Sequence, residues 1–200
     1  MSEFTLYLQT GLEHILDAKG YDHILFVLAL CSIYRVKDYK KLLWLVTAFT
    51  IGHSITLALA TLKIVTVNSV WIEFLIPITI ILTCISNLFY TPNQTIGISR
   101  KKSDTPIILR YLFALFFGLI HGLGFSNFLL ALLGKQASIS LPLLAFNIGL
   151  EIGQLLIVLV FLFITTVFAM LGSKQRDFVL VVSGIILGFS CHLLIEKWIF

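Results

Sequence analysis

The sequence predicts an all-α polytopic membrane helix bundle: about six transmembrane helices preceded by an N-terminal interfacial or half-helix, with both termini outside. Three observations carry this. The 200 residues are 58% hydrophobic and only 12% charged, with mean hydropathy +1.02, whereas soluble domains are about half apolar and about a quarter charged. Sustained apolar runs recur at 21–34, 42–62, 70–90, 107–133, 141–171 and 178–199. The basic residues alternate between the connecting loops. Six helices of roughly twenty residues use about 120 positions and leave only short loops. Residues 1–200 are therefore read as a single transmembrane domain whose chemistry sits within the membrane.

Taken in order, the first run is short for a span, so either it begins within 4–19 or that segment forms a separate half-helix at the interface. Gly20 is the expected break, since glycine is costly inside a helix and common at its end. The third run carries Pro77, whose ring leaves the Glu73 carbonyl without its helical donor. Gly118 and Gly122 in the fourth run, Gly149 and Gly153 in the fifth, and Gly184 and Gly188 in the sixth have the spacing that lets membrane helices approach closely. Close approach of the fourth and fifth spans would bring His121 and Glu151 to one ion.

Orientation follows from the cations. Arg35, Lys37, Lys40 and Lys41 follow the first span, Arg100, Lys101, Lys102 and Arg110 the third, and Lys174 and Arg176 the fifth. The opposite side receives Lys19, Lys63, Lys135 and Lys197. The positive-inside rule then puts the three basic loops in the cytoplasm of a multi-pass protein of the cytoplasmic (inner) membrane.

Several classes are excluded. The net charge of +4 comes without basic residues interleaved with aromatics on a soluble face, so no nucleic acid is expected. Cys31, Cys84 and Cys191 are far apart inside apolar runs and read as packed thiols. Residues 1–11 lack the basic-then-apolar pattern of a signal peptide. No solenoid-type repeat or low-complexity tract occurs, the one linker is 91–105, and no nucleotide-binding motif is present.

An ionisable side chain at a membrane-helix centre costs about 2.5–3.5 kcal/mol on insertion scales and marks a functional candidate. His53 and His121 lie midway along the second and fourth spans, while Asn147, Glu151 and Gln154 share one face of the fifth. Asp22 and His23 open the first span, with His14 and Asp17 just before it. With the predicted topology, His14, Asp22, His23, Glu73, Glu151 and His192 fall in the outer half. A polar pocket open to the outside follows. His192, beside Glu196 and Lys197, reads as interfacial. Imidazole and carboxylate without paired thiolates suit a divalent ion such as Ni, Co or Zn.

The same residues carry a resemblance. Gly11-Leu12-Glu13-His14-Ile15-Leu16-Asp17, Gly20-Tyr21-Asp22-His23-Ile24-Leu25-Phe26, Phe49-Thr50-Ile51-Gly52-His53-Ser54, Phe117-Gly118-Leu119-Ile120-His121-Gly122 and Phe146-Asn147-Ile148-Gly149-Leu150-Glu151-Ile152-Gly153-Gln154 resemble the HupE/UreJ family, in its shorter branch without a signal peptide. The resemblance implies a nickel or cobalt permease in which His14, Asp22 and His23 receive the metal.

The leading expectation is a divalent transition-metal permease, of nickel or cobalt type, with an outward-facing site. The metal would be held by His14, Asp22, His23, His53, His121 and Glu151, with Asp17, Asn147, Gln154, Ser54 and Glu73 supporting those ligands. The partners expected are the metal ion, the lipid bilayer, and a second copy or an accessory subunit. The alternative is an intramembrane zinc hydrolase acting at the outer leaflet, with Glu151 or Asp22 as general base.

Overall fold

A computed structural model describes residues 2–18, 20–91, 107–133 and 139–198. Among them the chain forms α1 (Glu3–Leu16), α2 (Asp22–Cys31), α3 (Tyr39–Thr61), α4 (Ser69–Leu88), α5 (Ile107–Leu133), α6 (Ser140–Met170) and α7 (Gln175–Glu196), and no strand. Helices α3 to α7 are long and apolar enough to cross a membrane, because every backbone polar group inside a helix is satisfied without water. They take up the second to sixth apolar runs. The protein is a helical, multi-pass membrane protein.

The first run departs from a continuous span. Helix α2 has only 10 residues, about 15 Å of rise, and α1 is a separate 14-residue helix capped by the Ser2 side chain. The break at 17–21 holds Asp17, Gly20 and Tyr21, where a carboxylate and a glycine replace an apolar turn. Helix α1 packs lengthwise on α6 with Tyr7, Gly11 and Ile15 buried. A Cβ on Gly149 would meet Leu8 and Leu12, and one on Gly153 would meet Leu12 and Ile15. Contacts thus advance along both chains together, so α1 and α6 run parallel. Helix α2 continues to the far end of the bundle, where Asn87 Nδ2 donates to the Ala29 carbonyl at 2.8 Å. Five long apolar helices with the separate α1 and the short α2 agree with the expected helical membrane bundle, and of the two readings open for the first run the separate N-terminal helix is the one found.

The glycines pair helices other than those expected. Gly118 and Gly122 of α5 press on Phe49, His53 and Thr56 of α3, and Gly52 of α3 presses on Leu115 and Leu119 of α5. Gly149 and Gly153 press on α1. Gly184 and Gly188 meet nothing within 4 Å, and Cys191 is exposed while Cys31 and Cys84 are buried.

These contacts reveal an internal duplication. Gly11-Leu12-Glu13-His14 of α1 matches Gly118-Leu119-Ile120-His121 of α5, and Phe146-Asn147-Ile148-Gly149 of α6 matches Phe49-Thr50-Ile51-Gly52 of α3. Gly11 lies against Phe146 and Leu150 as Gly118 lies against Phe49 and His53. Each pair is parallel, yet α3 and α6 oppose each other, since Phe146 near the start of α6 meets His53 in the second half of α3, while Thr165 and Ala169 near the end of α6 line one pocket with Arg35 and Lys37 just before α3. Helices α4 and α7 are antiparallel: Glu73 pairs with Lys197 at one end, and Arg176 binds the Leu88 carbonyl at the other. The frame is two inverted halves, α1-α3-α4 and α5-α6-α7, with α2 inserted in the first. Inverted halves around a discontinuous helix are a recurrent frame for transporters.

Among the described cations, Arg35, Lys37, Arg110, Lys174 and Arg176 gather at the end where α2 finishes, and Lys197 stands at the other. Lys19, Arg100, Lys101, Lys102, Lys135 and residues 92–105 of the expected linker lie outside the described residues.

Candidate metal centre

The break between α1 and α2 brings three imidazoles together. One nitrogen from each of His14, His23 and His53 lies within 4.8 Å of the others, and the His14 and His23 rings stand 4.6 Å apart between centroids. His121 adjoins them, its ring 5.1 Å from that of His23. His14 ends α1, His23 opens α2, and His53 and His121 face inward from α3 and α5, where Gly52 and Gly118 allow the two backbones to touch. His14 and His121 hold matching positions in the two halves.

The hydrogen bonds prepare these rings. His23 Nδ1 lies 3.0 Å from Asp22 Oδ1, and the same oxygen accepts from the His23 backbone N–H at 3.0 Å. His121 Nδ1 lies 2.9 Å from the Phe117 carbonyl oxygen. A carbonyl or carboxylate there fixes the proton on Nδ1 and leaves the Nε2 lone pair for another partner. Nε2 of His14, His23, His53 and His121 is buried without a hydrogen-bond partner, and so is Nδ1 of His53. Buried polar atoms of this kind are normally satisfied. Convergent imidazoles with their second nitrogen already anchored are the donor set that fits a borderline divalent ion.

Aromatic rings enclose the cluster. Phe125 lies 3.7 Å from the His14 ring centroid and Phe146 stacks on His53. Phe26 and Phe49, 5.0 Å apart, sit against His121 on the side toward the basic end. A cavity of about 280 Å³ opens on the other side and is lined by His14, Asp17, Asp22, His23, His121, Glu73 and Lys197. His53 is fully buried behind it.

The other predicted residues separate into two groups. Asp17 and Asp22 flank Gly20, and Glu73 stands at the cavity rim in an ion pair of 2.9 Å with Lys197. Glu151 instead accepts from Thr47 Oγ1 at 2.7 Å, and Gln154 Oε1 from Thr50 Oγ1 at 2.9 Å. Asn147 donates to the Leu143 carbonyl and Ser54 to the Thr50 carbonyl, each within its own helix. His192 is exposed and does not line the cavity.

Sequence reading missed Lys197, Thr47, Thr50 and the aromatic enclosure. The signal available was the paired recurrence of Gly-Leu-x-His and Phe-x-Ile-Gly, four-residue blocks too short to announce a repeat until their contacts are matched.

The model of one family, described as HupE / UreJ protein, matches residues 1–197. No curated protein sequence and no solved structure matches the chain. With that match running from the helix before the break through the end of α7, the chain belongs to the HupE/UreJ family.

Proposed function

We propose that this protein is a permease of the cytoplasmic (inner) membrane for a divalent transition metal of nickel or cobalt type. The ion is its cargo. The observation that carries this reading is the set of buried, unpartnered Nε2 atoms on His14, His23, His53 and His121, two of them on rings anchored by Asp22 and the Phe117 carbonyl. Family membership supports metal handling. The cavity opens at the end opposite the basic cluster, which by the positive-inside rule is the outer face. A hydrated ion enters past Glu73 and Asp17, loses water beside Asp22, and binds His14, His23 and His53, with His121 next to His23 as the following position. The inverted halves supply a frame in which one face can open as the other closes.

The hydrolase alternative requires a carboxylate free to act as general base on metal-bound water. Asp22 is engaged by His23 and Glu151 by Thr47, which favours transport over catalysis.

The test is uptake of labelled nickel, cobalt and zinc into proteoliposomes, with His53→Ala and His121→Ala as comparisons. Saturable uptake by the wild type, reduced at least about tenfold in both variants, is expected. Tight stoichiometric binding with no flux would end the permease reading and promote the hydrolase, and a protein binding none of the three metals would remove both.

A further inference from the structure

The contact between α3 and α6 carries polarity that the imidazole cluster does not use. Glu151 stands near the middle of a 31-residue apolar helix. Among the described residues its one hydrogen-bond partner is the Thr47 hydroxyl and no Lys or Arg forms an ion pair with it. A carboxylate on a membrane-spanning helix with no cationic side chain beside it is a candidate for holding a cation.

One turn farther along both helices the account of donors also fails to close. The Thr50 hydroxyl has one hydrogen, but it lies 3.2 Å from the Val46 carbonyl and 2.9 Å from Gln154 Oε1. Gln154 is fully buried and its Nε2 has no partner. A half-turn of the amide, which exchanges two atoms of nearly equal size, lets Nε2 donate to Thr50 while Thr50 donates to Val46. The atom then left bare is the amide oxygen, a buried acceptor one turn from a carboxylate. Such a pair calls for a positive charge between them.

The duplication shows that this polarity is an addition. The matched pairs in the inverted arrangement are Ser54 with Leu144 and Asn147 with Leu57. Ser54 and Asn147 each donate to a carbonyl of their own helix, and Asn147 Oδ1 is buried without a partner. Only the Glu151 side carries a carboxylate.

We infer that Glu151, Gln154, Thr47 and Thr50 form a second site, for a sodium ion, at the contact between the inverted halves. One carboxylate, one amide oxygen and two hydroxyls make an all-oxygen set of net charge −1, which matches a hard monovalent cation and differs in kind from the nitrogen donors of His14, His23 and His53. Because the site joins α3 of one half to α6 of the other, its occupancy bears on how the halves move. Its role as the coupling ion rests on the permease reading; sodium binding itself does not.

The experiment is thermal unfolding of the purified full chain in detergent, with chelator and no transition metal, titrated with sodium chloride against potassium and choline chloride at constant ionic strength. Sodium is expected to raise Tm saturably, on the order of 5 °C at a hundred times its Kd. That rise should vanish in Glu151→Gln and weaken in Thr47→Val, which keeps the shape of the side chain, while both variants still bind nickel. Equal effects of the three salts, or a sodium effect unchanged in both variants, would overturn the inference. So would a stabilisation that follows pH alone, which would make Glu151 a proton carrier. Sodium binding without metal flux would leave this site standing and end only its coupling role.

Discussion

The backbone of Gly118 rests directly on the carbonyl of Phe49, in a space where any Cβ would overlap that oxygen, and Gly11 repeats the relation with Phe146. The two contacts set the spacing of the parallel pairs and thereby the depth at which His121 and His14 enter the cluster, three residues on from each glycine.

Gly118→Ala should therefore force α3 and α5 apart. Overpacking against backbone costs about 1–3 kcal/mol, visible as a lower Tm in detergent together with weakened metal binding. Gly184→Ala, with nothing within 4 Å, should leave Tm unchanged or raise it, because alanine is the better helix former by about 1 kcal/mol. Equal loss of stability in the two variants would contradict the packing described for α3 and α5.

Asp22→Asn removes the charge that anchors His23 Nδ1 without changing the shape of the side chain. Metal affinity measured by calorimetry should fall about 10- to 100-fold, with helical content unchanged. Asp17→Asn, at an exposed position on the same break, should cost less. An Asp22→Asn protein of wild-type affinity would show that His23 is oriented by something else.

Binding should weaken as pH falls. Imidazole offers its lone pair only when neutral, so protons compete with the ion for the same nitrogen. Lys197 does not share this titration: its hydrogen bond to Glu73 raises its pKa above the usual lysine value against the opposing effect of desolvation, and the Glu73 charge adds to the rise. It stays cationic until pH climbs through that raised value. Affinity measured between pH 5 and 8 should rise with pH; a flat profile would argue against imidazole ligation.

Lys197→Gln takes a positive charge from the cavity rim and frees Glu73. Since both side chains are over two-fifths exposed, stability should change little, while affinity for a divalent cation should rise a few-fold, most clearly at low ionic strength. Unchanged affinity at low salt would place Lys197 outside the entry path.

What the sequence determined by itself was set by solvent and composition. Long apolar runs have one low-energy form in a bilayer, so α3 to α7 were legible to within about three residues at each end, and His23, His53 and His121 stood out because ionisable groups are rare in such runs. Membership in the HupE/UreJ family was legible in the same blocks. Which helices touch was not. Gly118 and Gly149 each announce a close approach but carry no label for the partner, so α5 was expected on α6 when it packs on α3. The interrupted α1–α2 element was likewise open, because a fourteen-residue apolar run fits either half of a span. Tertiary packing decided these points: steric fit of bare backbone to carbonyl chose the pairs, drew His14 to His23 and His53, and left Glu151 facing Thr47 across the contact between the halves.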